Sequence, residues 1–425
     1  MSSPSGYEQL LQIGRPPAIA RLFPNSKALL VSGKVIDRAL MKKGQAMTIA
    51  ANGRSYAVLR GALQAAQRAD AAIIIEIARS ECGYCPVHFF NIARQVDAVC
   101  NELGITAPVA VHADHYGIKK EEDIPYARQE IPAMFEQGIT SIAIDASHMT
   151  DDKNLLANIE LHQYVPKWAS LETEVGEIKG AQGLSTVTDA LFLIQGLNAH
   201  GIVPDWIALN NGTTHGIEAS GQGIQVELTA KIHQALRPYG TSGAQHGTSG
   251  NSSDKLRAIA AQTRTTKANV ATALQMISWG LEVNDYGNAI FDDAGNFKKV
   301  KGEGLSEELW TEMIAYAAGK GWKKGDYKNL NLPFEMKILA QPKAVRERMY
   351  KRVEDFVHGM LTTVMNAEGT ATIARDIIAE VGGYDLGAKA AQSEKAADWT
   401  REKIIERAKA LGLSDTKGPA GHFDD

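Results

Sequence analysis

Pro108–Asp114 reads Pro-Val-Ala-Val-His-Ala-Asp, and Ser141–Ser147 reads Ser-Ile-Ala-Ile-Asp-Ala-Ser. Each is a short apolar run that closes on polar residues able to do chemistry, and between them Tyr126–Gly138 has helical period and ends at glycine. Apolar runs alternating with helical segments are what a parallel sheet covered by helices requires. Outward from this pair the alternation holds between about Gln45 and Asp285. It predicts strands at Gln45–Ala51, Ala71–Ala78, Pro108–Asp114, Ser141–Ser147, Ser170–Gly176, Trp206–Gly212, Gly240–Gly247 and Ile277–Asn284. Helices are expected at Ser55–Asp70, Phe89–Gly104, Tyr126–Gly138, Asp189–Gly201 and Gln225–Tyr239, several of them stopping at glycine. Eight βα units in about 240 residues match an α/β fold of the (β/α)8 TIM barrel type. The rival is a doubly wound open sheet, because local pattern does not show ring closure.

Beyond Asp285 the pattern changes to Gly/Lys-rich loops, Phe297–Gly304 and Gly319–Asn329, and then to amphipathic stretches around Lys343–Val357 and Trp399–Leu411. The expected organisation is therefore 1–44 as an N-terminal segment packing on the barrel, 45–290 as the catalytic barrel, and 291–425 as a mainly helical C-terminal extension.

The 425 residues are 44% hydrophobic and 22% charged, which supports a large core and excludes a disordered chain or a disulfide-dependent miniprotein. Net charge is only −4, without long runs of one sign, so neither nucleic acid nor a membrane surface is the expected partner. Three cysteines, Cys82, Cys85 and Cys100, are too few for a disulfide framework and suit a reducing cytoplasm. The first residues lack the pattern of an export signal, and no stretch of about 18 uninterrupted apolar residues occurs. Cys82-Gly83-Tyr84-Cys85 has the spacing of a redox or zinc motif but lacks a second half, and it reads as structural.

In a barrel the C-terminal strand ends converge on one mouth. Here they carry His112-Ala113-Asp114-His115, Asp145-Ala146-Ser147-His148, Glu172-Thr173-Glu174-Val175-Gly176, Thr214-His215-Gly216 and Gln245-His246-Gly247-Thr248-Ser249-Gly250. Histidine nitrogen with carboxylate oxygen is the usual ligand set of a catalytic zinc or similar divalent ion. Glycines after His215 and His246, followed by the small and hydroxyl residues before Asp254–Gln262, suit close approach of backbone amides to a phosphate.

These ordered motifs resemble the class II (metal-dependent) fructose-bisphosphate aldolases and their ketose-bisphosphate aldolase relatives. The resemblance covers roughly Gln45 to Asn284. It implies a (β/α)8 fold, reversible aldol cleavage of a phosphorylated ketose, and Zn2+ as the usual metal. Matched residue by residue, His115, His215 and His246 stand at the catalytic-metal ligands and Asp114 at the acidic proton shuttle. Asp145 and Glu174 match carboxylates of a second or displaced metal position. Gly216, Gly247 and Ser249 match contacts to the phosphate of the dihydroxyacetone-phosphate half, Asn284 an asparagine of the last strand, and Asn52 a substrate-side asparagine after the first. The resemblance also implies a cytoplasmic homo-oligomer, a dimer or larger, acting on a small phosphorylated ketose.

The chemistry suits these residue types. Cleaving C3–C4 of a ketose leaves negative charge on an enediolate, which a divalent cation stabilises as a Lewis acid. Asp114 would handle the C4 hydroxyl proton, and Glu174 and Glu177 are the candidates for the proton at C3. Departures concern the substrate-facing positions. Thr248 stands where glycine is common, and Glu282 where a lysine precedes the last-strand asparagine by two; Glu76-Ile77-Ala78 stands where glutamine and serine are frequent. Basic residues such as Lys323, Lys324, Arg346 or Arg348 could reach a distal phosphate, within the chain or across a subunit boundary; the alternative for them is a solvated helix face or loop. The expected substrate is fructose 1,6-bisphosphate, yielding dihydroxyacetone phosphate and glyceraldehyde 3-phosphate. The alternatives are another ketose phosphate, a different metal-dependent barrel reaction, and a non-catalytic accessory subunit of an aldolase complex.

Overall fold

The computed structural model describes residues 6–176, 183–213, 223–249, 251–284, 287, 289–292, 296–384 and 386–414. Eight parallel strands form a closed barrel in sequence order: β1 (Thr48–Asn52), β2 (Ile73–Ala78), β3 (Val109–Gly117), β4 (Ser141–Asp145), β5 (Ser170–Val175), β6 (Trp206–Leu209), β7 (Ser242–Gln245) and β8 (Thr265–Val270). Closure is made by β1 against β8, with Thr48 opposite Lys267 and Ala51 opposite Val270. The strands are buried almost throughout, as expected where one face meets helices and the other fills the barrel.

The last strand differs from the sequence-based expectation. Ile277–Asn284 is not a strand: Thr272–Trp279 is a helix, and Leu281 pairs antiparallel with Lys299 in an excursion beyond the barrel. The true β8, Thr-Thr-Lys-Ala-Asn-Val, carries few apolar residues and so does not read as a buried strand. It is tolerated inside because the Lys267 ammonium meets Glu172 at 2.8 Å, Glu76 at 3.2 Å and Asp114 at 3.5 Å.

The opposite end of the barrel is closed by the N-terminal segment. Leu30 bridges to Val109 at the start of β3, and Asp37 on the helix Gly33–Lys43 accepts from Thr266 of β8 at 2.6 Å. The same carboxylate meets Lys389 at 2.5 Å, which ties the C-terminal part of the chain to the barrel floor. Cys82, Cys85 and Cys100 are free thiols, and burial pushes the Cys82 thiol up to about 12 and raises that of Cys85 as well, which disfavours their thiolate forms.

The helix Lys343–Gly359 packs along Tyr56–Arg68, and Gly61 lies directly against it. A Cβ there would lie 2.5 Å from Val353 Cβ and 2.7 Å from the Tyr350 carbonyl oxygen. The backbone oxygen cannot swing aside. Gly61→Ala gains roughly 1 kcal/mol of helix propensity and meets an overpacking cost of about 1–3 kcal/mol that grows with the immobility of the neighbour. The expected outcome is a lower melting temperature; a raised one in a thermal scan would show that these helices part freely.

Candidate active site

A regular strand points successive side chains to opposite faces, so Asp114 and His115 cannot both enter the barrel mouth unless β3 breaks its period. It does. Ala113 pairs with Ile142 and Tyr116 with Ile144, leaving Asp114 and His115 together opposite Ala143. His115 has φ +40°, a left-handed conformation unusual for a histidine that costs about 1–3 kcal/mol. The bulge turns two adjacent residues toward one point.

That point lies between His115 Nε2 and His246 Nδ1, 2.7 Å apart, with Asp114 beside them. His246 follows β7, and its other nitrogen meets Glu172 Oε1 at 2.8 Å. The Nδ1 of His115 meets Asp145 Oδ2 at 3.2 Å and Glu174 Oε2 at 3.3 Å. Each imidazole thus turns one nitrogen toward the other and one toward a buried carboxylate, an arrangement in which carboxylates orient the ligands of a cation. The donor set of two imidazoles and a carboxylate fits a divalent ion. Asp145 and Glu174 stand behind His115 in this arrangement, and they form a second cluster with it.

The electrostatics follow from burial. Burial alone would raise Asp114, but His115, Lys267 and His246 outweigh it and hold the carboxyl below the usual range. Burial would lower His115, yet Asp114 and Glu174 raise it well above an ordinary histidine. Glu174 is pushed up by burial and by the charge of Asp145. Glu76 is pushed well up by burial and by Asp114.

The cavity above this cluster has a volume of about 470 Å³. Asn52, Gly247 and Ser249 line it, as the sequence suggests for substrate contacts. Gly247 has φ +58°, a conformation suited to glycine. The Asn52 Oδ1 is buried without a hydrogen-bond partner among the described residues. His215, Gly216 and Glu177 lie outside the described residues.

Asn284 is not on the last strand and does not line the cavity. Asn269 of β8 occupies that place. Its Nδ2 donates to Asp114 Oδ1 at 3.0 Å, and Lys267 precedes it by two residues, so the lysine-to-asparagine spacing sought at Glu282 is present on the true strand. The signal was period-two alternation: Lys267 and Asn269 share the inward face. Glu172 and Arg54 were also missed as site residues. Of the distal basic residues, Lys324 lines the cavity, Arg348 instead holds the Gly304 carbonyl at 2.7 Å, and Arg346 lines a separate crevice beside Tyr56.

Residues 34–322, about two thirds of the chain, match the family described as fructose-bisphosphate aldolase class-II. The chain belongs to that family. It is 28% identical over 224 residues to the fructose-bisphosphate aldolase of Streptococcus pneumoniae serotype 4, covering 50% of this chain and 69% of the relative. It is 30% identical over 159 residues to that of Staphylococcus aureus strain Mu50, covering 36% of this chain and 52% of the relative. Among solved structures, the YdjI aldolase from Escherichia coli K12 superposes with a TM-score of 0.54 at 17% identity, covering 80% of this chain and 99% of that one. Fructose-bisphosphate aldolase from Campylobacter jejuni gives 0.51 at 18% identity, covering 80% and 96%. At those identities the structural likeness is one of fold.

One wall of this aldolase-family cavity depends on a buried ion pair. Arg54 Nε meets Glu81 Oε1 at 2.5 Å with both side chains almost fully enclosed, and Glu81 Oε2 accepts the Ala78 amide at 2.9 Å. Removing one charge strands the other. Glu81→Gln is expected to destabilise the protein by about 3–5 kcal/mol, read as a fall in the urea midpoint; a loss within about 0.5 kcal/mol would refute the pair's role.

Proposed function

We propose that the chain catalyses metal-dependent, reversible aldol cleavage of a ketose phosphate, with fructose 1,6-bisphosphate giving dihydroxyacetone phosphate and glyceraldehyde 3-phosphate as the reference reaction. One observation supports this above the others: the β3 bulge aims His115 at the same point as His246 with Asp114 alongside. In this reading His115 and His246 hold one Zn2+ together with His215, and the bound ion supplies Lewis-acid stabilisation of negative charge on the substrate oxygens.

The chain's own groups do the rest. Asp114, kept ionised by its cationic neighbours and held by Asn269 and Lys267, takes the proton of the C4 hydroxyl as the C3–C4 bond breaks. The bond's electron pair passes to the donor half as an enediolate, and a proton returned to C3 completes dihydroxyacetone phosphate. Glu172 fixes the ring of His246, while Asp145 and Glu174 fix that of His115. Gly247 and Ser249 would receive the donor phosphate, and the unpartnered Oδ1 of Asn52 a hydroxyl. The protein would act in the cytoplasm as a homo-oligomer; none of its described helices is long and apolar enough to cross a membrane.

Triose phosphate release, measured on zinc-loaded and chelator-stripped protein, tests the reading. Cleavage should vanish on stripping and return on reloading, and His246→Ala should lower kcat/KM at least about 100-fold. Undiminished turnover by protein shown to be free of metal would sink it.

The raised affinity of His115 for a proton sets a second expectation. A cation competes with a proton for that ring, so metal affinity should rise with pH across the range in which His115 deprotonates. Calorimetric titration in buffers of different ionisation enthalpy should show proton release on binding. Affinity independent of pH would contradict the assignment.

A further inference from the structure

The cavity has two unlike walls. The strand-end wall is polar and carries the histidines and Asp114. A second part of the lining comes from beyond the barrel: Trp279 and Leu281, then Phe291 and Phe297 of an antiparallel excursion, then Tyr327 in the short helix Lys324–Leu330. These side chains belong to an apolar cluster separate from the barrel core. Phe291 and Phe297 stack at 5.0 Å between ring centroids, and Tyr327 lies 5.2 Å from Phe297. Aromatic rings fixed by one another offer a preformed flat surface to a ligand.

Two cations sit at this wall. The Lys324 ammonium lies 5.3 Å from the Phe291 ring centre, and that of Lys328 lies 5.4 Å from the Tyr84 ring. Lys324 has φ +43°, a left-handed conformation seldom taken by lysine, next to Gly325, which also lines the cavity. On the barrel side the wall is continued by the short side chains of Ala78 and Ala271, which leave room and offer no hydroxyl or carboxylate to a ligand. The rings of Phe291 and Phe297 themselves offer a polyhydroxylated triose no hydrogen bond, while Ser80, Thr272, Gln275 and Asp326 add polar groups elsewhere on the lining.

We propose that this wall is the acceptor-aldehyde subsite, and that the preferred aldehyde has a carbon body longer than a triose ending in an anionic group, carboxylate or phosphate. The body lies against Phe291, Phe297 and Tyr327, and the anion meets Lys324 and Lys328. This rests on the aldolase reading above. In the synthetic direction the enediolate electron pair forms the new bond from C3 of dihydroxyacetone phosphate to the aldehyde carbon. The proton that C3 loses on forming the enediolate balances the one that the carbonyl oxygen gains through Asp114, which takes up a proton before donating it, so no oxidant or further reactant is needed.

The test uses the full zinc-loaded chain with three six-carbon acceptors, 6-oxohexanoate, 6-phosphooxyhexanal and uncharged hexanal, beside glyceraldehyde 3-phosphate. At least one six-carbon anion should exceed both hexanal and glyceraldehyde 3-phosphate in kcat/KM by about tenfold or more, and the carboxylate and phosphate arms identify which anion is taken. Lys324→Ala should collapse the anion-to-hexanal ratio about tenfold, Lys324→Arg should restore most of it, and Phe291→Ala should weaken all the six-carbon aldehydes together. A preference for glyceraldehyde 3-phosphate, or a ratio insensitive to Lys324→Ala, would overturn the proposal. Exchange of the C3 hydrogen of dihydroxyacetone phosphate with deuterated water, measured without aldehyde, separately tests the aldolase reading. If exchange is absent, calorimetric binding of the two six-carbon anions, and its loss in Lys324→Ala, still decides the subsite.

Discussion

A strand that keeps its period can present only every second side chain to the interior of a barrel. The site needs two neighbours there at once. In β3 that conflict is resolved by one extra residue, which places Asp114 and His115 together opposite Ala143 and holds His115 in a left-handed conformation. Such strain persists only where surrounding interactions over-determine it. Those interactions are visible: His115 is gripped by Asp145 and Glu174 on one nitrogen and faces His246 on the other. The acid that moves the proton and the imidazole beside it are neighbours in sequence because the backbone is distorted between them.

Beneath the site the barrel interior is charged. Lys267 stands among Glu76, Asp114 and Glu172, all fully or almost fully buried. Burying these groups singly would cost several kcal/mol each; Lys267 offsets the charges of Asp114 and Glu172, while burial and Asp114 favour the neutral form of Glu76. The set also has direction. Glu172 connects Lys267 to the ring of His246, and Asn269 together with Lys267 fixes Asp114. Ordinary packing would leave a strand end free to adjust; a closed network of charges holds it in one geometry.

The chain beyond β8 adds what the barrel lacks, a wall across part of its mouth. Its excursion and helices have an apolar cluster of their own, joined to the barrel through Ala57, Met276 and Trp279, and through Lys343–Gly359 lying along Tyr56–Arg68. Residues from both parts line one cavity, and ligand sites commonly form at such junctions.

The alternation of apolar runs and helical segments carried the fold, because each strand of a covered parallel barrel must be apolar on both faces and each helix on one. Seven strands were legible on that rule. The eighth was not, since Lys267 and Asn269 face a polar interior whose compensating carboxylates come from β2, β3 and β5; this also displaced the last-strand asparagine from Asn269 to Asn284. By itself the sequence determined which residue types reach the strand ends, so that Asp114, His115 and His246 stood out, as did Asn52, Gly247 and Ser249. Only the tertiary structure decided that adjacent Asp114 and His115 share one face, that Arg54 is locked to Glu81, and that aromatic residues from beyond the barrel line one cavity with the histidines. A bulge, a buried ion pair and a shared cavity are relations between segments distant in the chain, and local periodicity holds no record of them.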